Sequence, residues 1–182
     1  NWYTALHEVG HALGLSHPFD GGAADGSTLN LNLDSQRNTV MTYVQTDRNV
    51  RIAKSGSSLS WDKVNISTPG LLDIEAMEHL YGSGGWSHNN TGTTYGGGAG
   101  IDAFDNNYDS IRVIADSGGA DTLDASGVTA TGNIINLTPG TSSTIPVTYN
   151  GSIWQLDDNL GIPTGSIIEN VKTGSGDDLI VG

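Results

Sequence analysis

Apolar residues at helical spacing open the chain. Leu6, Val9 and Leu13 predict a helix over residues 3–13, and Gly14 is a natural stop. Residues 18–60 show no long periodicity. Gly21-Gly22, Asp25-Gly26 and Ser55-Gly56-Ser57-Ser58 punctuate them, which predicts a long irregular stretch of the kind that a function or a ligand orders. Thr68-Pro69 then predicts a second helix, with Thr68 as its cap and Pro69 at its first position. Ile74, Met77 and Tyr81 form its apolar stripe, and Leu72, Ala76 and Leu80 widen that stripe. Asp73, Glu75 and Glu78 are expected on the wet side, and Gly82 ends the helix.

After Gly82 the pattern changes. Short β-branched runs at 111–114, 133–137, 145–149, 152–156 and 166–168 alternate with Gly/Asp/Asn turns, which predicts an all-β unit. Two turn segments resemble each other, Gly118-Gly119-Ala120-Asp121-Thr122-Leu123-Asp124 and Gly174-Ser175-Gly176-Asp177-Asp178-Leu179-Ile180. The fold class expected is therefore α+β, with a helical unit over 1–82 followed by an all-β unit over 83–182. The chain opens inside a helical pattern and closes within a repeat, so both ends read as cut and the chain as a fragment.

Composition narrows the chemistry. The net charge is −13, from 20 acidic against 7 basic residues. That lacks the basic footprint of a nucleic-acid partner. It suits either a self-solvating protein or one that holds divalent cations. There is no cysteine, so disulfides, thiolate metal ligands and a cysteine nucleophile are excluded. No apolar run approaches the about 20 residues of a membrane-spanning helix.

The chemistry concentrates in His7-Glu8-Val9-Gly10-His11-Ala12-Leu13-Gly14-Leu15-Ser16-His17. On a helix His7 and His11 lie one turn apart on the same face, so their imidazoles can converge on one metal ion. Glu8 is displaced around the helix and reaches a water on that ion without ligating it. Gly14 can take positive φ, end the helix and bring His17 round to the same ion. Three histidines with an open fourth position describe a catalytic zinc site, since a structural one is closed. His79 and His88 match no such pattern: His79 faces out of the second helix and His88 sits in a polar loop.

This segment resembles the metzincin signature H-E-x-x-H-x-x-G-x-x-H. Thr39-Val40-Met41-Thr42-Tyr43 looks like the methionine turn that lies beneath the zinc in those enzymes. Leu13-Gly14-Leu15-Ser16-His17-Pro18 is similar to the serralysins in particular. That resemblance implies that Tyr43 ligates zinc at rest and swings away to stabilise the oxyanion. Residues 71–82 resemble the helix closing the serralysin catalytic domain. Thr94-Tyr95-Gly96 and Asp116-Ser117-Gly118-Gly119-Ala120-Asp121-Thr122 look like the entry to its parallel calcium-binding β-roll, built from G-G-x-G-x-D repeats. By resemblance Asp116, Gly118, Gly119, Asp121 and Glu169 hold calcium, Asn90-Thr91-Gly92-Thr93 adds carbonyls, and residues 173–182 are the first nonapeptide of the array.

The resemblance thus implies a secreted, extracellular zinc-dependent endopeptidase with Zn2+ and Ca2+ as cofactors and protein or peptide substrates. The helical unit would be the C-terminal part of its catalytic domain, and the β unit the beginning of a roll or sandwich. A preceding sheet that covers Val9 and Leu13 is expected on an N-terminal piece of the same enzyme, a possible partner. The rival expectation is a catalytically silent zinc- and calcium-binding fragment with a structural or interaction role. A β-roll adhesion module with a vestigial metal site is weakened by the joint presence of His7, Glu8, His11, His17 and Tyr43.

Overall fold

The computed structural model describes residues 2–21, 28–45, 50–82, 90–97, 104, 110–129, 132–149, 152–154 and 156–182. Among these, two helices of 11 residues each accompany short strands, and strand is the commoner regular structure. No helix among the described residues is long and apolar enough to cross a membrane.

Helix α1 spans Trp2–Ala12. Its buried face is not the apolar stripe that the spacing predicts. His7 and Gly10 are its buried residues, Tyr3 and Leu6 pack against the core beside them, and Val9 and Leu13 stand exposed. The helix ends where expected, at Gly14 with φ 90°.

The stretch 18–60 contains regular structure that the sequence reading overlooks. Strand β1 (Val50–Ser55) pairs antiparallel with β2 (Ser58–Lys63) around Gly56, whose φ is 61°. The hairpin escapes a search for buried periodicity because Leu59 and Trp61 face water, 71% and 78% exposed.

Helix α2 runs Leu71–Tyr81 and is capped by Gly70, not by Thr68. The hydroxyl of Thr68 is engaged elsewhere, since it donates to the Pro69 carbonyl and accepts the N–H of Val113. Gly70 lies so close to the Asn38 carbonyl that a Cβ would collide with it. Asp73, expected on the wet side, is 2% exposed and bonded inward, because its carboxylate is the acceptor that caps the helix. Tyr81 and Leu80 are exposed at the far end, where the Tyr81 hydroxyl reaches the Leu13 carbonyl at 2.7 Å.

Downstream, short strands stack. Strands β3 (Thr94–Gly96), β5 (Thr122–Ala125) and β11 (Asn170–Thr173) form a parallel sheet with β5 central, and β6 (Ile134–Asn136) pairs parallel with β12 (Leu179–Val181). Strand β10 (Leu160–Ile162) lies between β4 (Arg112–Val113), parallel, and β7 (Thr141–Ser143), antiparallel, while β8 (Val147–Tyr149) and β9 (Ser152–Trp154) make a hairpin. Residues 166–168, read as a strand from their composition, are not one. Ile168 is core, and the Ser166 hydroxyl accepts the Asp116 N–H, so the ladder begins only at Asn170.

One apolar cluster runs through all of this, from Leu15, Val40 and Met41 by way of Ile66 to Leu123, Ile135 and Ile162. Ile66 and Ile111 form a parallel bridge, and Ser67 N–H reaches the Ile111 carbonyl at 2.9 Å. Val40 and Met41, from an earlier loop, lie in the same cluster as Ile66 and Ile111. His79 is exposed, as its helical position predicts, and His88 lies outside the described residues.

Candidate metal centre

Two segments build the centre, α1 with its following turn and the loop 39–43. Gly14 reverses the chain, and Leu15 N–H returns to the Gly10 carbonyl at 3.0 Å. This reversal carries His17 back over the helix. Beneath it, Met41 is buried against Gly10, where a Cβ would overlap the Met41 sulfur. The glycine at this position admits the methionine.

The Nε2 atoms of His7 and His11 lie 3.2 and 3.1 Å from Nε2 of His17, and ligand atoms of all three fall within 4.8 Å of one another. Each opposite nitrogen meets an oxygen. His7 Nδ1 faces the Val40 carbonyl at 2.7 Å, His11 Nδ1 the Leu15 carbonyl at 2.9 Å, and His17 Nδ1 the Asp20 carboxylate at 2.6 Å. Acceptors at Nδ1 place the proton there and turn each Nε2 lone pair towards the common point. Three lone pairs so directed repel unless a cation lies between them. With bonds of about 2.0–2.1 Å, a tetrahedral zinc ion sets its ligands about 3.3 Å apart. The observed spacing fits that ion.

Tyr43 completes the ring of donors. Its hydroxyl lies 2.9 Å from His17 Nε2, and its ring stacks on His7 at 5.4 Å between centroids. Glu8 is exposed, next in sequence to the buried His7. Of the residues singled out from sequence for this centre, the structure brings His7, His11, His17 and Tyr43 together.

Four residues escape the sequence reading. Asp20 orients His17. Phe19 stacks on His17 with planes 5° apart. The Tyr3 hydroxyl donates to the Thr42 carbonyl at 2.6 Å and lies 3.1 Å from that of Val40, and burial pushes its pKa up, so it stays a donor. Asp73 accepts from Thr39 Oγ1 at 2.5 Å, Val40 N–H at 2.8 Å and Gly70 N–H at 2.6 Å. Burial pushes the Asp73 carboxyl up, with those three donors opposing. Only Asp20, a carboxylate three positions after the third histidine, leaves a signal in the sequence.

The residues assigned to calcium lie on stacked turns. Asp121 Oδ1 accepts Thr93 N–H and Glu169 Oε2 accepts Asp121 N–H, both at 2.7 Å, while Asp121 Oδ2 is buried with no hydrogen-bond partner among the described residues. Asp116 is buried as well; it accepts Gly118 N–H at 2.7 Å, and the Tyr95 hydroxyl donates to its other oxygen. Gly118 and Gly119 have φ of 142° and 138°, and a Cβ on Gly119 would strike Thr91 and Gly92. The three carboxylates do not close on one point as the histidines do. The orphaned oxygen and the glycine turns suit a hard cation with oxygen ligands.

Residues 88–182 match the family described as Peptidase M10 serralysin C terminal. The chain belongs to the serralysin family. Across nearly its whole length it is similar to Metallopeptidase AprA of Pseudomonas marginalis, 33% identical over 189 residues, which are 98% of this chain and 36% of the relative. The serralysin of Photorhabdus luminescens is 32% identical over 194 residues and that of Proteus mirabilis 34% over 195, again 98% of this chain and 35% of each relative. The chain thus spans about a third of the length of these relatives.

Proposed function

We propose that this chain carries the zinc centre of a secreted endopeptidase, which hydrolyses peptide bonds in proteins, and the calcium-binding roll that follows it. The observation that carries the reading is the convergence of the three Nε2 atoms, each with its Nδ1 held by an oxygen. In this reading residues 1–82 are the C-terminal part of a metzincin catalytic domain, and 83–182 begin the roll.

His7, His11 and His17 hold the zinc ion, with Tyr43 as a further ligand at rest. When bound, zinc acidifies water and polarises the scissile carbonyl. Glu8 takes the proton from the attacking water and passes it to the leaving amine. Tyr43, exposed and therefore free to turn outward, donates a hydrogen bond to the tetrahedral oxyanion. Asp116, Gly118, Gly119, Asp121 and Glu169 hold calcium in the roll, for which the orphaned Asp121 oxygen is the support.

Elemental analysis joined to a casein-cleavage assay, with and without chelator, tests this. About one zinc per chain and chelator-sensitive cleavage are expected. Zinc and calcium without cleavage would favour the silent metal-binding reading, and absence of zinc would overturn both.

A further inference from the structure

Tyr43 is 63% exposed and sits at the end of a loop, where a tyrosine ordinarily samples several rotamers. Something must hold it at the histidines. Three rings touch it: His7 at 5.4 Å, His17 at 4.9 Å and Phe19 at 5.6 Å between centroids. Two of these rings carry the nitrogens that face the metal. Phe19 has no donor atom, so packing is all that it contributes to the group.

Its placement is specific. Phe19 is 46% exposed, yet its ring lies flat on His17, with planes 5° apart and centroids at 5.0 Å. The same ring meets Tyr43 at an interplanar angle of 44°. Pro18 restricts the backbone just before it, and the Pro18 carbonyl accepts Leu29 N–H at 2.9 Å, which anchors the turn. Phe19 is thus an aromatic wall fixed to the third ligand and leaning on the tyrosine. Aromatic contacts of this kind exceed the value of the area they cover.

We infer that Phe19 is a positioning residue that holds Tyr43 at the three-histidine centre and so sets how readily the tyrosine leaves it. This rests on the zinc reading above and adds a determinant for the tyrosine's movement. Without Phe19, the His17 and His7 contacts remain, but the side of Tyr43 towards the Pro18 turn opens, and the ring gains rotamers away from the metal.

Zinc is d10 and silent, so the test loads the protein with copper(II), which accepts the same imidazole and oxygen donors. A phenolate on copper gives a charge-transfer band that imidazole ligands do not. In the unaltered protein a stoichiometric copper ion with this band is expected, the band being absent from Tyr43→Phe. In Phe19→Ala the ratio of bound to released Tyr43 should fall about 2- to 10-fold, with copper stoichiometry unchanged. Phe19→Leu, which keeps apolar volume without the flat ring, should weaken the band as well, and Phe19→Tyr should retain it in full. A band of full strength in both Phe19→Ala and Phe19→Leu overturns the inference, as does copper binding with no phenolate band in the unaltered protein. Failure of the underlying zinc reading looks different, because copper would then bind no better than to His7→Ala.

Discussion

His17 Nδ1 donates to the carboxylate of Asp20 across 2.6 Å, and this is the one carboxylate among the partners that orient the three histidines. The other two imidazoles lean on backbone carbonyls, which mutation cannot remove. Asp20 is therefore the adjustable support. Asp20→Ala should weaken zinc binding by about 10- to 100-fold, measured by competition with a chromophoric chelator, while His17 itself is retained. Unchanged affinity would show that Phe19 stacking alone orients the ring.

Glu8 tests chemistry apart from metal. Glu8→Gln should bind zinc with full stoichiometry and lose turnover by about 10²- to 10⁴-fold, because the amide cannot take a proton from water. Cleavage at the unaltered rate would remove Glu8 from that role.

Gly10 is the floor of the site. Alanine is the better helix former by about 1 kcal/mol, yet here its methyl overlaps the Met41 sulfur in a buried setting. Overpacking of this sort costs about 1–3 kcal/mol and should decide the sign. Thermal unfolding of Gly10→Ala is expected to begin lower than that of the unaltered chain.

Asp73 holds three donors. Asp73→Ala strands them all in the core and should cost about 3 kcal/mol or more. Asp73→Asn keeps two acceptor contacts and should cost much less. The pH dependence follows from burial, which raises the Asp73 pKa in the fold. A raised folded value means that the folded state favours the proton, so this contribution is complete below the ordinary carboxylate value. It diminishes as pH rises through the folded value. Metal-free denaturant titrations should therefore show a steeper loss of stability from acid towards neutral pH in the unaltered protein than in Asp73→Asn. Parallel profiles would contradict this account.

The roll offers a ligand-linked test. Calcium should raise the melting temperature of the unaltered chain through selective binding to the folded state. In Asp121→Ala, which removes both the Thr93 contact and the orphaned oxygen, most of that increment should disappear. Equal calcium-induced shifts in the two proteins would exclude Asp121 as a ligand.

The histidine triad is legible because its signal is local. Helical periodicity, one glycine and a fixed offset bring His7, His11 and His17 together, and the structure has all three nitrogens facing one another. The oxygens behind them are less legible. Val40 reaches His7 through tertiary packing, and no pattern along the chain announces a backbone carbonyl. Asp73 defeats the amphipathic rule for a related reason. Its carboxylate turns back to cap its own helix and, in doing so, enters the core. The β1–β2 hairpin escapes because Leu59 and Trp61 face water, and β7, β10 and β11 escape because ladders of three or four residues leave almost no period to detect. The glycine turns at 118–119 were readable as turns, though not as surfaces pressed against residues 91–92.

Val40 gives its N–H to Asp73 and its carbonyl to His7, so two peptide planes hinged at one Cα join the cap of α2 to the first histidine. Moving the Val40 Cα disturbs both ends together. Metal affinity and helix stability are then coupled through the placement of one residue. Substitutions at Asp73 and His7 should combine non-additively in any double-mutant cycle, and a variant selected for a tighter zinc site would be selected, unseen, for a firmer second helix.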